Sequence, residues 1–319
     1  MEGCWMREDK LSGRQLSVVV TVGGLSTAAA AAGGMDWRWM LAAVLPAVGI
    51  GWLLLRRVGN DPLHPAVRGV YCAWSVVLMA DVLRRAAERV LAASGGNGNM
   101  GWLLMLLALP LLWMGWGKTG AFFRAAEILW LAVLALTAVI LLLALPRLDW
   151  RYALEPAGGW KDSLLSAAGV LSAGLFALPH LYNVKPAAGD VGRGLGWLAA
   201  LGVLSAALAL ATAGLLSPKT AAELEGPFFT AAGLLGDSAR LEGLVSALWL
   251  LPDLTLAGLL ARTWGERRWP MLGAALGLGL ALTGVTDMFP TAVLPLGSLA
   301  LAVLTGIAPP GGRKIVVKP

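Results

Sequence analysis

The stretch ALWLLPDLTLAGLL, residues 247–260, places a proline and an aspartate side by side in an apolar segment. A carboxylate at the depth of a membrane core costs about 2.5–3.5 kcal/mol on insertion scales, so Asp253 needs a proton, a bound cation or a ligand amine as its partner. Pro252 removes one backbone donor and loosens the helix locally, and Thr255 adds a hydroxyl nearby. The pattern predicts that Asp253 and Thr255 serve ion or proton coupling. The alternative is a protonated, hydrogen-bonded structural acid.

A second acidic residue lies in DVLRRAAERV, residues 81–90. Asp81 and Arg85, like Arg84 and Glu88, are four residues apart and can form ion pairs along one helix face. The favoured interpretation is a charged helix end that reaches water. The functional alternative gives Asp81 a role in ion coupling and lets the cluster guide a charged ligand inward.

Two segments carry small and polar residues in the middle of apolar runs: VGGLSTA (22–28) and AAGVLSAGLFALP (167–179). Glycine and serine at such positions permit a broken membrane helix whose free backbone groups hold a substrate or an ion. Ordinary close packing of helices is the alternative. The candidate ligand-binding residues are Gly23, Gly24, Ser26, Gly169, Ser172 and Gly174.

Motifs for catalysis are weak. GWGKTG (115–120) lacks the leading glycine and the preceding strand of a phosphate-binding loop, and GRGLG (192–196) lacks the third glycine of a dinucleotide fingerprint. The two histidines, His64 and His180, and the two cysteines lie far apart in sequence. An enzyme is therefore the weakest functional class, and neither a cofactor nor a metal is expected.

The elements that position these residues are membrane helices. The 319 residues are 58% hydrophobic and 14% charged, with a mean hydropathy of +0.73, whereas a soluble domain is about one quarter charged. A helix needs about 20 apolar residues to cross a bilayer. Ten spans are predicted: Gln15–Met35, Trp39–Leu55, Ala66–Val90, Val90–Gly117, Ile128–Pro146, Ser163–Val184, Gly194–Pro218, Glu242–Trp264, Trp269–Thr286 and Met288–Gly312.

The net charge of +6 does not imply nucleic acid. With ten spans and both termini in the cytoplasm, 16 of the 25 Lys and Arg residues fall on the inner side, as the positive-inside rule requires. The predicted organisation is a cytoplasmic tail over residues 1–14, a transmembrane permease domain over 15–308 and a second cytoplasmic tail over 309–319. The first helix is expected to remain uncleaved.

Ten helices permit a five-plus-five inverted repeat, the architecture of many secondary transporters, in which the first and sixth helices are broken near the midplane. The third and eighth spans, which carry Asp81 and Asp253, are then repeat mates. The eighth span is expected to pack beside the first.

One long segment, FFRAAEILWLAVLALTAVILLLALPRLDWRYALEPAGG (122–159), resembles the GerAB-type spore germination permeases, the B subunits of germinant receptors. That family shows an Arg-x-x-Glu at the start of the fifth helix, here Arg124 and Glu127, which also form a possible helix-surface pair. The segment EGPFFTAAGLLGDSARLEGLVSALWLL (225–251) and the DWRW at 36–39 are similar to the same family. The further matching residues are Gln15, Pro146, Asp149, Leu154, Pro156, Gly158, Pro227, Arg240, Leu241, Glu242 and Trp249.

The resemblance implies an all-α amino-acid-permease-like fold in the inner membrane of an endospore. It implies partners as well, an A subunit and a lipoprotein C subunit, and a small nutrient ligand such as an amino acid. Asp253 is not part of the family pattern. The expected function is nutrient sensing that triggers germination, and the alternative is an active amino-acid/cation or proton symporter.

Overall fold

The computed structural model describes residues 13–33, 35–57, 65–96, 98–157, 159–177, 190–224, 226–236, 240–264, 269–289 and 292–307. The predicted tails therefore lie almost wholly outside the described residues, as do His64, His180 and Gly158. The described part contains helices and no strands. The helices are α1 (Gly13–Ala31), α2 (Trp37–Arg57), α3 (Pro65–Ala93), α4 (Met100–Trp116), α5 (Thr119–Ala144), α6 (Trp150–Leu154), α7 (Trp160–Ala177), α8 (Asp190–Leu216), α9 (Pro218–Glu223), α10 (Pro227–Leu234), α11 (Arg240–Leu248), α12 (Leu250–Arg262), α13 (Trp269–Thr283) and α14 (Val293–Ile307).

Five helical segments in the described part are long and apolar enough to cross a membrane, so the protein is an all-α membrane protein. Three shorter apolar helices accompany them, in α4, α13 and α14. A helical segment lies in each of the ten ranges predicted to span. The five long segments are Trp37–Leu54, Pro65–Ala93, Gly120–Arg147, Leu195–Leu216 and Leu241–Arg262.

The outer surface of α4 and α5 is apolar. Trp113 and Leu109 on α4 and Ile128 on α5 are 79%, 67% and 73% exposed. In water such a surface would be unfavourable, whereas in a bilayer it contacts lipid at no cost.

The eighth predicted span is interrupted. Helix α11 ends at Leu248 and α12 begins at Leu250, with Trp249 between them in a turn conformation. Pro252 explains the interruption, because it has no N–H to donate to the carbonyl of Leu248, four residues earlier. The irregularity is small, because Trp249 keeps right-handed helical backbone angles and its N–H donates to the Val245 carbonyl at 2.9 Å.

Within the described residues the first and sixth spans are not broken at the predicted glycines and serines, which corrects the prediction there. Helix α1 is continuous through Gly23 and Gly24, and α7 is continuous through Gly169, Ser172 and Gly174. A glycine inside a helix costs about 1 kcal/mol relative to alanine. In lipid each unsatisfied backbone group costs several kcal/mol, so keeping the helix is favourable.

Each of several helix contacts has a counterpart made by the corresponding helices of the other half of the chain. Helix α1 packs on α8 and α2 on α7; α7 packs on α14 and α1 on α5; α3 packs on α13 and α4 on α12. The predicted neighbours α1 and α12 are in contact, and so are α3 and α12. Helix α1 lies among α5, α7, α8 and α12, which explains why Val22, Leu25 and Ala28 are fully buried.

Candidate functional site

Asp253 lies in the first turn of α12 and is 3% exposed. Its Oδ1 accepts a hydrogen bond from the Ser26 hydroxyl of α1, and its Oδ2 pairs with Nη2 of Arg89 on α3. The carboxylate therefore has a cation and a hydroxyl donor as partners.

Arg89 was not singled out by the sequence, although it supplies the charge that Asp253 needs. Asp81, Arg85 and Arg89 follow each other at intervals of four and therefore share one face of α3. That spacing is the signal that would have drawn attention to Arg89. The proton, bound cation or ligand amine expected beside Asp253 is replaced in this structure by a guanidinium of the chain itself.

An aromatic cluster surrounds the pair. The Arg89 guanidinium stacks on the Phe229 ring, with 4.7 Å from Cζ to the ring centroid. Phe229 in turn contacts Trp249 at the interruption between α11 and α12, with centroids 6.0 Å apart. The Trp249 indole is fully buried and its N–H donates to the Leu25 carbonyl of α1 at 3.4 Å. Trp249 thus contacts α1 directly and, through Phe229, the Arg89 guanidinium.

The predicted coupling residue Thr255 is buried, but its hydroxyl donates to the Leu251 carbonyl of its own helix at 2.7 Å. This bond to the preceding turn is usual for a threonine in a membrane helix. The described contacts assign Thr255 to the helix and not to Asp253.

A half-open cavity of about 600 Å³ lies between α1, α3, α7, α12, α14 and the 3-10 turn Val285–Met288. Of the predicted site residues, Asp81, Gly169 and Ser172 line it. The lining also includes Thr27, which follows Ser26, and Arg85, one turn before Arg89. Neither Asp253 nor Arg89 lines the cavity itself.

The paired glycines of α1 serve packing. A Cβ at Gly24 would overlap the Leu201 side chain of α8, and a Cβ at Gly23 would lie 3.0 Å from Leu256 Cδ1. Neither glycine lines the cavity, and their role as ligand-binding residues stays a prediction. Gly174 lies in α7, and its surroundings are outside the described part of the chain.

Ion pairs surround one side of the cavity. Both pairs predicted for α3 are present: Asp81 with Arg85, and Arg84 with Glu88 at 3.3 Å between Nε and Oε1. Arg84 also pairs with Asp287 of the 3-10 turn, which holds that turn against α3. Three of these ion-paired residues, Asp81, Arg85 and Asp287, line the cavity.

Several polar groups of the lining lack a partner within the described residues, among them Arg85 Nε, which is buried without a hydrogen bond. Asp162, in the first turn of α7, is exposed and forms no ion pair there. The Thr286 hydroxyl is buried, with the residue 5% exposed, and has no hydrogen-bond partner there. A buried hydroxyl without a partner costs about 1–3 kcal/mol, which a bound ligand would offset.

Arg124 and Glu127, taken from the family resemblance, lie on α5 away from the lining of the cavity. The Arg124 Nε donates to the Gly120 carbonyl of its own helix at 3.2 Å, and Glu127 is half-buried. Neither residue is among those that line the cavity.

A second buried arginine is structural. Arg262, at the end of α12, donates from Nη2 to the Met114 and Gly117 carbonyls at 2.5 and 2.9 Å. These carbonyls belong to the last turn of α4 and the residue after it, where positive charge is favourable. The GWGKTG segment, which resembles part of a phosphate loop, is thus the C-terminal end of a helix capped by arginine.

Within the described residues no group of three or more His, Cys, Asp and Glu side chains is arranged to hold a metal ion. The chemistry of the site is therefore that of carboxylates, guanidinium groups and hydroxyls beside an apolar wall.

No family model matches the chain, and no curated protein matches it either.

Proposed function

We propose that this membrane protein is a permease-like subunit that senses a small nutrient and triggers spore germination. The observation that carries the proposal is the half-open cavity of about 600 Å³ between the helices. Sites for small molecules typically enclose about 300–1,000 Å³, with a mainly apolar lining and a few polar groups. The resemblance of residues 122–159 and 225–251 to germination permeases is the reason for proposing that this small molecule is a germinant.

The proposed architecture is a ten-span, five-plus-five inverted repeat. Its support is the packing, because exchanging the two halves converts one observed contact into another. The α1–α8 contact becomes α7–α2, α7–α14 becomes α1–α5, and α3–α13 becomes α12–α4. Such exchange is expected of a pseudo-two-fold axis in the membrane plane.

Sensing would act through α12. Leu256 and Leu260 of this helix line the cavity, while Asp253, one turn before Leu256, holds Arg89 of α3. A ligand that binds one arrangement of α12 better than another shifts the population towards it. The buried ion pair is the contact that such a movement would have to keep or break.

The proposed location is the inner membrane of an endospore, within the lipid bilayer and in complex with the A and C subunits of a germinant receptor. Binding, not catalysis, is the proposed activity, and nucleic acid has no part in it. Genes for A- and C-type subunits beside this one would support the complex. A genome without sporulation genes would contradict it.

An active amino-acid/cation or proton symporter is the second candidate. It is favoured by Asp81, a carboxylate that lines the cavity in the same helix as the buried Arg89. Proteoliposome uptake separates the two candidates. Accumulation of an amino acid against its gradient, driven by a proton or sodium gradient, identifies a symporter, and binding without accumulation identifies a receptor.

The test of the site is Ala173→Phe. Ala173 lines the cavity from α7, so a phenyl ring there occupies the space a nutrient needs. Ala132→Phe on the exposed face of α5 is the matched control. Spores with normal amounts of protein should lose their nutrient response with Ala173→Phe and keep it with Ala132→Phe. An equal response from both variants would show that the nutrient binds elsewhere.

A further inference from the structure

We propose that the 3-10 turn Val285–Met288 is a gate at the mouth of the cavity, and that the ion pair between Arg84 and Asp287 is the latch that holds this gate against α3. The inference rests on the proposed function, since it describes how a ligand reaches the same cavity. It follows from the place of the turn, its attachment to α3 and one buried hydroxyl.

The mouth of the half-open cavity is marked by charged residues. Asp162 of α7 and Asp287 of the turn line the cavity and are exposed, and Arg85 of α3 lines it and is partly exposed. Charged side chains are costly in lipid, so this end of the cavity faces water. In the proposed ten-span topology it lies away from the cytoplasm, because the turn follows the ninth span.

The turn separates the cavity from its surroundings by a single layer of residues. Thr286 is buried and lines the cavity, whereas its neighbour Val285 is exposed and Met288 is 82% exposed. Phe289, directly after the turn, lines the cavity as well. One side of the turn therefore faces the cavity and the other faces away from it, which is the arrangement that a gate requires.

The ion pair attaches the turn to α3. Arg84 Nη2 pairs with Asp287, and Arg84 Nη1 donates to the Ala281 carbonyl in the last turn of α13 at 3.3 Å. The guanidinium thus lies beside the start of the 3-10 turn. The side chains of Arg84 and Asp287 are 20% and 48% exposed, so water screens the pair and its release costs little.

Gly284 gives the turn a point at which to bend. Its φ of +69° lies in the left-handed region, which glycine adopts without strain. A Cβ at this position would lie 2.9 Å from Arg84 Nη1, so glycine also permits the close approach of the guanidinium. Because the turn begins directly after Gly284, rotation there would move Thr286 and Asp287 together.

The Thr286 hydroxyl links the gate to the ligand. It is buried and has no hydrogen-bond partner within the described residues. A buried hydroxyl without a partner costs free energy, which favours release of the turn while the cavity is empty. A ligand that bonds this hydroxyl removes the cost, so occupancy of the cavity shifts the population towards the latched turn.

Reaction of a cysteine inside the cavity measures the gate in the full-length protein in lipid nanodiscs. The cysteine is Ala173→Cys, in a background in which Cys4 and Cys72 are replaced by alanine. Ala173 lines the cavity from α7, roughly 16 Å along the helix from Asp162. The reagent is 2-hydroxyethyl methanethiosulfonate, which is uncharged, so a change of charge at the mouth does not alter its approach.

Substitutions in the latch should open the gate. Asp287→Asn should raise the reaction rate of Ala173→Cys about two- to fivefold, the range for a partly exposed ion pair, and so should Arg84→Gln. Because both remove one contact, the double variant should be no faster than the faster single variant. Asp81→Asn is the matched control, since it breaks an ion pair of the same lining that does not hold the turn. Latch variants no faster than Asp81→Asn would overturn the proposal.

Thr286→Val should have the opposite effect. It keeps the shape of the side chain and removes the unbonded hydroxyl, so the latched turn becomes more stable and the reaction should slow about twofold or more. A faster reaction would contradict the role given to this hydroxyl.

Two reference results complete the test. Glu155→Cys, at an exposed position outside the lining, gives the reaction rate without a gate, and Ala173→Cys should react more slowly. Equal rates would mean that nothing restricts entry, and an Ala173→Cys that reacts in no variant would mean that water does not reach the cavity; either result would overturn the gate. The germination test of Ala173→Phe decides separately whether a nutrient binds there.

Discussion

Removing the negative charge of Asp253 should strongly destabilise the protein. Asp253 and its partner Arg89 are only 4% and 10% exposed in their side chains. Asp253→Asn keeps the shape of the side chain and leaves the Arg89 guanidinium without a counter-charge inside the bundle. Breaking a buried pair by removing one partner costs about 3–5 kcal/mol, which is roughly a hundredfold or more in the folding equilibrium.

Asp81→Asn is the control, because it removes the charge of a similar ion pair that is less buried. Asp81 pairs with Arg85 in the same way, but these side chains are 18% and 37% exposed. Because water screens this pair, its loss should cost about 0–1 kcal/mol. Unfolding of the purified variants by SDS titration measures both costs under the same conditions.

A double substitution tests the electrostatic reasoning. Arg89→Met with Asp253→Leu removes both charges and replaces them by apolar groups of similar volume, which is often neutral for a buried pair. This variant should recover most of the loss of Asp253→Asn. A remainder of about 1 kcal/mol is expected from the Ser26 hydroxyl, whose acceptor is gone.

Two results would refute the argument. Equal destabilisation by Asp253→Asn and Asp81→Asn would mean that the Arg89–Asp253 pair is as well solvated as a surface pair. A double variant no more stable than Asp253→Asn would mean that the charges themselves contribute little.

Three further substitutions test the packing. Gly24→Leu should lower the free energy of unfolding by about 1–3 kcal/mol, because the new side chain would overlap Leu201. Gly49→Leu is the control: Gly49 has open space around it, so this change should alter stability by less than about 0.5 kcal/mol. Thermal unfolding in detergent compares the two variants. Trp249→Ala should cost about 3–5 kcal/mol in the same assay, since the indole is fully buried, and a loss below about 1 kcal/mol would contradict the burial. Arg262→Met should increase hydrogen exchange in the last turn of α4, whose carbonyl cap it removes, and unchanged exchange there would argue against the cap.

Hydropathy predicted the helices well because lipid permits few alternatives to a helix. A helical segment lies in every predicted range, including Ala66–Val90, which carries charges. The short helices α6, α9 and α10 were not predicted, since five to eight residues give too little periodicity to recognise. The predicted breaks in α1 and α7 were wrong, because glycine and serine permit a break and do not require one.

The candidate site was only partly accessible from the sequence. Asp253 stood out as a charge in an apolar run, and of the other predicted site residues Asp81, Gly169 and Ser172 line the cavity, while their roles stay predictions. Arg89 was missed because its partner lies 164 residues away, and pairing at that distance depends on how α3 and α12 pack. The lining residues Asp162 and Thr286 gave no local signal, because one lies in a helix end and the other in a turn.

The separation of Arg89 from Asp253 also has a consequence for the order of events during synthesis. The chain emerges at about 5–20 residues per second, so the 164 residues between the two partners take roughly 10–30 s to make. During that interval α3 is already available to the membrane while the counter-charge of Arg89 does not yet exist. Arg89 lies only four residues from the end of α3, close enough for its side chain to extend to the headgroups and remain hydrated. Docking of α12 would then draw the guanidinium inward, making burial of Arg89 a late step in assembly of the bundle.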